Sequence, residues 1–202
     1  MVARWLFIWA TGRSGSTTLL EMINAVPCIG LSGENGQFMH QIAMLNRTTH
    51  SLNGKKGSWF NNVDWDMVKH SQQSWISSLN AAKKNISGFK EIRIDSMPFI
   101  IKLFPGASHV VNYRRNHTLQ LKSQFQTKTT DAALFLKEAT IRKHLQGQRV
   151  FELALEDFSV NKLNRLLSWI GIDKYRFTDV IHSNNKGYNS DGRRVCTTQC
   201  SC

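Results

Sequence analysis

The segment from Phe7 to Leu20 constrains the fold of this chain more than any other. It reads Phe7-Ile8-Trp9-Ala10, then Thr11-Gly12-Arg13-Ser14-Gly15-Ser16-Thr17-Thr18, then Leu19-Leu20. An apolar strand runs into a loop of small and hydroxylated residues, and the loop runs into a helix. The helix is legible because Leu19, Met22, Ile23 and Val26 fall at i, i+3, i+4 and i+7, one buried stripe. Gly12 and Gly15 permit a tight turn in which successive N–H groups point at one anion. The helix N-terminus adds unpaired N–H groups and its dipole. Ser14, Ser16, Thr17 and Thr18 offer hydroxyls, and Arg13 offers a fixed positive charge. The segment predicts a phosphate or sulfate site; a plain Ser/Gly turn between strand and helix is the alternative.

The rest of the chain alternates apolar runs with helical patterns, which argues for an α/β fold with a central, mainly parallel sheet. Strands are expected at Leu6–Ala10, Ile86–Ile92, His109–Tyr113 and Val150–Leu155. Leu163, Leu166, Leu167 and Ile170 repeat the helical stripe, and Gly171 is placed to end that helix. Asp64 is a candidate cap for a helix carrying Trp65, Val68, Trp75, Ile76 and Leu79 on one face. Further helices are expected over about 117–128 and 131–146. With 202 residues the chain suits one domain, expected over 1–188, followed by a flexible tail over 189–202.

Composition narrows the function class. Hydrophobic residues make up 41%, which suits an ordinary globular domain. The longest apolar run, Trp5 to Ala10, is too short to span a bilayer, and no signal peptide is legible, so a soluble cytoplasmic protein is expected. A Golgi lumenal location would require the chain to be part of a longer one. Lys plus Arg is 26 against 14 for Asp plus Glu, a net charge of +12 that favours anionic partners. The charge is scattered, so a basic surface without a polyanion groove explains it equally well. Cys28 is expected to fill core. Cys196, Cys200 and Cys202 crowd the C-terminus with no His at zinc-finger spacing, and no metal is expected.

The loop is not a Walker A loop. That motif ends in Gly-Lys-Ser/Thr, whereas Ser16 follows Gly15 and the cation, Arg13, precedes it. Arg13-Ser14-Gly15-Ser16-Thr17-Thr18 instead resembles the 5′-phosphosulfate loop of sulfotransferases that use 3′-phosphoadenosine 5′-phosphosulfate (PAPS). The Arg-Ser-Gly form is similar to the tyrosylprotein, carbohydrate and trehalose branches. The resemblance implies a P-loop-like three-layer sandwich in which Gly12, Arg13, Ser14, Gly15, Ser16, Thr17 and Thr18 bind the cofactor.

Further matches lie along the chain, which carries them in the family's order. Leu103-Phe104-Pro105, the strand His109–Tyr113, Arg114-Arg115-Asn116 and Ser123 resemble its 3′-phosphate motif, implying that Arg115 and Ser123 bind that group. Arg114 is the competing register. Eight helical residues rise about 12 Å, so the convergence of Arg115 and Ser123 comes from the resemblance and not from spacing. Glu34, in Leu31-Ser32-Gly33-Glu34, matches the position of the family's catalytic base. Gly88-Phe89-Lys90-Glu91 resembles a strand-end Lys motif, which gives Lys90 a role in stabilising charge; a surface ion pair with the neighbouring Glu91 is the other reading. Lys186-Gly187 resembles the turn that closes over the cofactor. Leu153 to Asp157 superficially resembles a Walker B strand and is expected to be structural.

The resemblance implies sulfuryl transfer from PAPS to an acceptor hydroxyl or amine, leaving 3′-phosphoadenosine 5′-phosphate (PAP). Glu34, Arg13 and Lys90 would be catalytic. The acceptor, whether glycan, tyrosine peptide or small alcohol or phenol, is not named by the sequence. No specific nucleic acid and no membrane span are expected, and a homo-oligomer is left open. The competing expectation is a non-catalytic module that binds nucleotide or polyanion through its basic surface. A nucleotide kinase with a degenerate loop is disfavoured by the missing Lys.

Overall fold

A computed structural model describes residues 4–34, 37–55, 63–78, 84–123 and 129–180. Five strands form one parallel sheet in the order β2-β3-β1-β4-β5: β1 Arg4–Ala10, β2 Ile29–Ser32, β3 Ile86–Glu91, β4 Ser108–Tyr113 and β5 Arg149–Ala154. The helices are α1 Ser16–Asn24, α2 Phe38–Leu52, α3 Trp65–Ser78, α4 Met97–Leu103, α5 His117–Lys122, α6 Asp131–His144 and α7 Val160–Trp169. β1 is central, with the early strands on one side and the late strands on the other. The C-terminal ends of its neighbours therefore frame the loop that follows it, where parallel α/β sheets bind ligands.

The apolar run of β1 is explained by helices on both faces of the sheet. Leu6 and Ile8 pack with Leu19, Met22 and Ile23 of α1 and with Leu163, Leu166 and Leu167 of α7. Phe7 and Trp9 face the opposite way, against Met39 and Ile42 of α2, Ile100 of α4 and Ile141 of α6. Gly88 admits no side chain, because a Cβ there would lie 1.8 Å from the Leu6 carbonyl oxygen on β1. α7 ends as expected: Gly171 has φ 78°, its N–H bonds the Ser168 carbonyl at 2.9 Å, and the Ile172 N–H bonds Leu167 at 2.8 Å.

Several expectations are corrected. β2, α2 and α4 were not expected; β2 and α4 are too short to show a period, whereas α2 buries Met39, Ile42 and Ala43 at helical spacing and was missed. Ile92 lies outside β3, because the Glu91 carboxylate takes the Ile92 and Arg93 N–H groups at 2.8 and 2.9 Å and ends the ladder. Leu155 leaves β5 and opens a 3₁₀ turn, Leu155–Asp157. Asp64 does cap α3, accepting the Met67 N–H at 3.0 Å, but Ile76 alone is buried on that helix and Trp75 is half exposed, edge-on to Phe38. α5 stops at Lys122, with Ser123 as its C-cap. Cys28 is half buried against the α1 core. Leu79, residues 124–128, Lys186, Gly187 and the tail with Cys196, Cys200 and Cys202 lie outside the described residues. Among the described residues no helix is long and apolar enough to cross a membrane.

Candidate functional site

The loop after β1 holds three residues in the left-handed region: Gly12 at φ 76°, Arg13 at φ 52° and Gly15 at φ 77°. Arg13 is the informative one, since a side-chain-bearing residue adopts this conformation only where its surroundings enforce it. Gly15 is the N-cap of α1 and supplies no side chain, so no side-chain cap bonds the first N–H groups of that helix. Uncapped N–H groups and a dipole at the end of a central strand are the elements from which anion sites are built. Ser16 and Thr18 are buried, Thr17 is half buried and Arg13 is exposed. Ser14 is fully buried and donates its hydroxyl to Asn112 Oδ1 at 2.9 Å, so it braces the loop from behind.

Two sequence-predicted residues meet beside this loop. Lys90 Nζ lies 2.6 Å from Glu34 Oε1, with the Lys90 side chain 8% exposed and that of Glu34 40% exposed. Glu34 stands two residues past β2, and Lys90 near the end of β3. The loop follows β1, so the three groups rise from the C-terminal ends of three adjacent strands. The alternative reading of Lys90, a surface ion pair with the neighbouring Glu91, is corrected: Lys90 is buried, and its partner is Glu34.

Around this pair lie further charged groups. Glu91 is 2% exposed; burial pushes its carboxyl up, against the pull of the Arg93 and Ile92 N–H groups. Its Oε2 is buried without a partner among the described residues. Lys137 of α6 lies in the electrostatic field of Glu91, Glu34 and Asp95, and burial pushes its ammonium down. Successive strand residues face opposite sides, so the adjacency of Glu91 to Lys90 did not itself predict that the two share an environment.

The second anion segment is arranged differently. The Arg115 side chain pairs with Asp157, and the Arg115 and Asn116 N–H groups donate to Glu156 at 3.0 and 3.1 Å. Arg114 Nε lies 3.8 Å from Glu156 Oε1. Burial pushes the Glu156 carboxyl up, but the backbone N–H groups of Arg115 and Asn116 outweigh it and hold it below its usual range. The Ser123 hydroxyl donates to the Gln120 carbonyl at 2.8 Å, within its own helix. Glu156 and Asp157 thus have the structural place expected of them, holding the turn that carries both arginines.

Three histidines, His40, His109 and His117, have partners of their own. His109 is fully buried and accepts the Trp9 indole N–H at 3.0 Å, and burial lowers its pKa to about 4. His40 lies 2.6 Å from Asp95, and His117 lies between Asp131 at 2.6 Å and Glu138 at 3.1 Å. Among the described residues no group of three or more His, Cys, Asp or Glu could hold a metal ion.

No family model and no curated protein matches the chain. Among solved structures it is similar to a sugar kinase from Janibacter sp. HTCC2649, at 12% identity and TM-score 0.48, over 84% of this chain and 95% of that one. It is also similar to a shikimate kinase from Bacteroides thetaiotaomicron, at 16% identity and TM-score 0.43, over 83% of this chain and 98% of that one. At these scores the likeness decides nothing about chemistry, and the reading of the site rests on its own residues.

Proposed function

We propose that the chain transfers a sulfuryl group from PAPS to an acceptor hydroxyl or amine. The observation that carries the reading is the Lys90–Glu34 pair beside an uncapped, left-handed phosphate loop with no Walker lysine. The loop amides and the start of α1 would hold the 5′-phosphosulfate, with Arg13 and Lys90 stabilising the charge that develops on it. Arg115 or Arg114, with Ser123, would take the 3′-phosphate, and Lys186-Gly187 would close over it. Glu34 would accept the acceptor's proton as the new oxygen– or nitrogen–sulfur bond forms and the bond from sulfur to the phosphate oxygen breaks, releasing PAP. Lys90 bonds one oxygen of the Glu34 carboxylate, Oε1, and the other would take that proton. Positioning and charge would dominate this in-line step, as they do in phosphoryl transfer.

One assay tests the proposal. The protein is incubated with PAPS and a panel of glycans, phenols, tyrosine peptides and small alcohols, and PAP release is followed. Acceptor-dependent release that needs no added magnesium is expected. Binding of PAPS with no release on any acceptor would favour a non-catalytic nucleotide-binding module. Turnover of ATP with magnesium in place of PAPS would overturn the proposal in favour of a kinase.

A further inference from the structure

Two buried amide side chains tie the phosphate loop to the second anion segment. Asn112 of β4 accepts the Ser14 hydroxyl at 2.9 Å and donates to the Leu153 carbonyl of β5 at 3.1 Å. Gln120 of α5 is fully buried; its Nε2 donates to Thr11 Oγ1 at 2.9 Å and to the Gly12 carbonyl at 2.6 Å. A carbonyl can only accept, so Gly12 fixes which end of the Gln120 amide faces the loop. The other end, Oε1, is left buried with no donor among the described residues. The amide supplies the loop with two hydrogen bonds that an apolar side chain of similar size could not give.

The place of the contact supplies an account. The Gly12 carbonyl belongs to the peptide that joins Gly12 to Arg13, the two consecutive left-handed residues of the loop. Gln120 grips the loop where its conformation is most strained. Its own helix opens on Arg115-Asn116 and closes on Ser123, whose hydroxyl bonds the Gln120 carbonyl. A movement of α5 that lets Arg115 or Ser123 engage an anion would reach the loop through the Gln120 bonds.

We propose that Gln120 is a positioning and specificity-determining residue that couples the two anion sites, so that the chain selects a nucleoside 3′,5′-bisphosphate over either monophosphate by more than the separate contacts supply. The inference rests on the nucleotide reading given above. An occupied second site holds the loop in its anion-binding form, and by linkage an occupied loop holds α5.

Calorimetric titration with three probes tests it: adenosine 3′,5′-bisphosphate, adenosine 5′-monophosphate and adenosine 3′-monophosphate. The quantity read is the ratio of the 5′-monophosphate and bisphosphate dissociation constants, which is the worth of the 3′-phosphate. Couplings between sites are typically on the order of 5- to 150-fold, so the ratio is expected to fall about fivefold or more in Gln120→Met. Gln120→Glu, which keeps the shape but sets a carboxylate against the Gly12 carbonyl, should lower it similarly. A merely structural role would weaken all three probes by one factor and leave the ratio unchanged, which overturns the coupling. Should neither Gln120 variant fold, Thr11→Val removes one of the two contacts and must still lower the ratio, by a smaller factor; an unchanged ratio there overturns the coupling too. If the wild-type protein binds none of the probes, the nucleotide reading itself has failed and the inference falls with it.

Discussion

The two candidate anion sites, one on each half of the sheet, are built in opposite ways. On the β2-β3-β1 side the candidate groups are backbone N–H groups, set by left-handed residues and braced from behind by the side chains of Asn112 and Gln120. On the β4-β5 side the groups are arginines, and both already have acidic neighbours: Asp157 for Arg115 and Glu156 for Arg114. A backbone site formed in advance loses little entropy when an anion arrives. A paired guanidinium must first leave its carboxylate. The first side is therefore suited to chemistry, which needs fixed geometry, and the second to recognition, which tolerates an exchange of partners.

The largest effects belong to the first side. Glu34→Gln keeps the shape but cannot accept a proton, so PAPS binding should persist while turnover falls on the order of 10²- to 10⁴-fold. Steady-state kinetics on a true acceptor, beside a PAP titration, separates the two. Near wild-type turnover would remove Glu34 from the mechanism and leave its bond to Lys90 as structure only.

Next comes the second side. Arg115→Ala should lower the preference for PAPS over adenosine 5′-phosphosulfate by roughly ten- to a hundredfold, the worth of a charged hydrogen bond. If Arg114→Ala does this and Arg115→Ala does not, the 3′-phosphate is read by the arginine that leans on Glu156. The exchange of partners has its own test. Asp157→Asn releases Arg115 from an exposed ion pair and should tighten PAP by about two- to fivefold, the small scale of such pairs. Weaker PAP binding in Asp157→Asn would mean that the carboxylate holds Arg115 in its binding position, and the contrast between the two sides would narrow.

The same contrast explains how much could be read from the sequence. β1 and its loop were legible because an apolar run before Gly and Ser residues is a local pattern with few folded forms. Glu34 and Lys90 were identified by resemblance, and their 2.6 Å contact was not legible, since 56 residues separate them. β2 was hidden because Ile29–Ser32 is four residues long and flanked by Pro27 and Gly33, which read as loop. α4 was hidden because Pro98 reads as a breaker, although proline is tolerated in a first helical turn, where it stands here. Asn112 and Gln120 left no local trace: Ser14 lies 98 residues from Asn112, and Thr11 lies 109 from Gln120. Patterns within one element were readable, and side-chain bonds between elements were not.

The smallest expected effect concerns how the recognition side is held in place. His117 opens α5 and bonds Asp131 and Glu138 of α6; Glu138 also bonds Arg142, which in turn bonds Glu152 of β5. Burial pulls the His117 imidazole down, but the Glu138 and Asp131 carboxylates outweigh it, so its folded pKa stands above the ordinary value of 6.5. The sign follows from linkage. A group with a raised folded pKa contributes its full stability below its unfolded pKa and loses it as pH rises through the folded pKa. Melting temperature should therefore decline slightly from pH 6 upward through the raised folded pKa, by on the order of a degree or two in a chain of this size. His117→Gln should remove that part of the slope while leaving the Glu34-dependent chemistry in place. A wild-type slope that survives in His117→Gln would show that the contact between α5 and α6 does not depend on the imidazolium, and that α5 is held chiefly by Gln120 and Glu156.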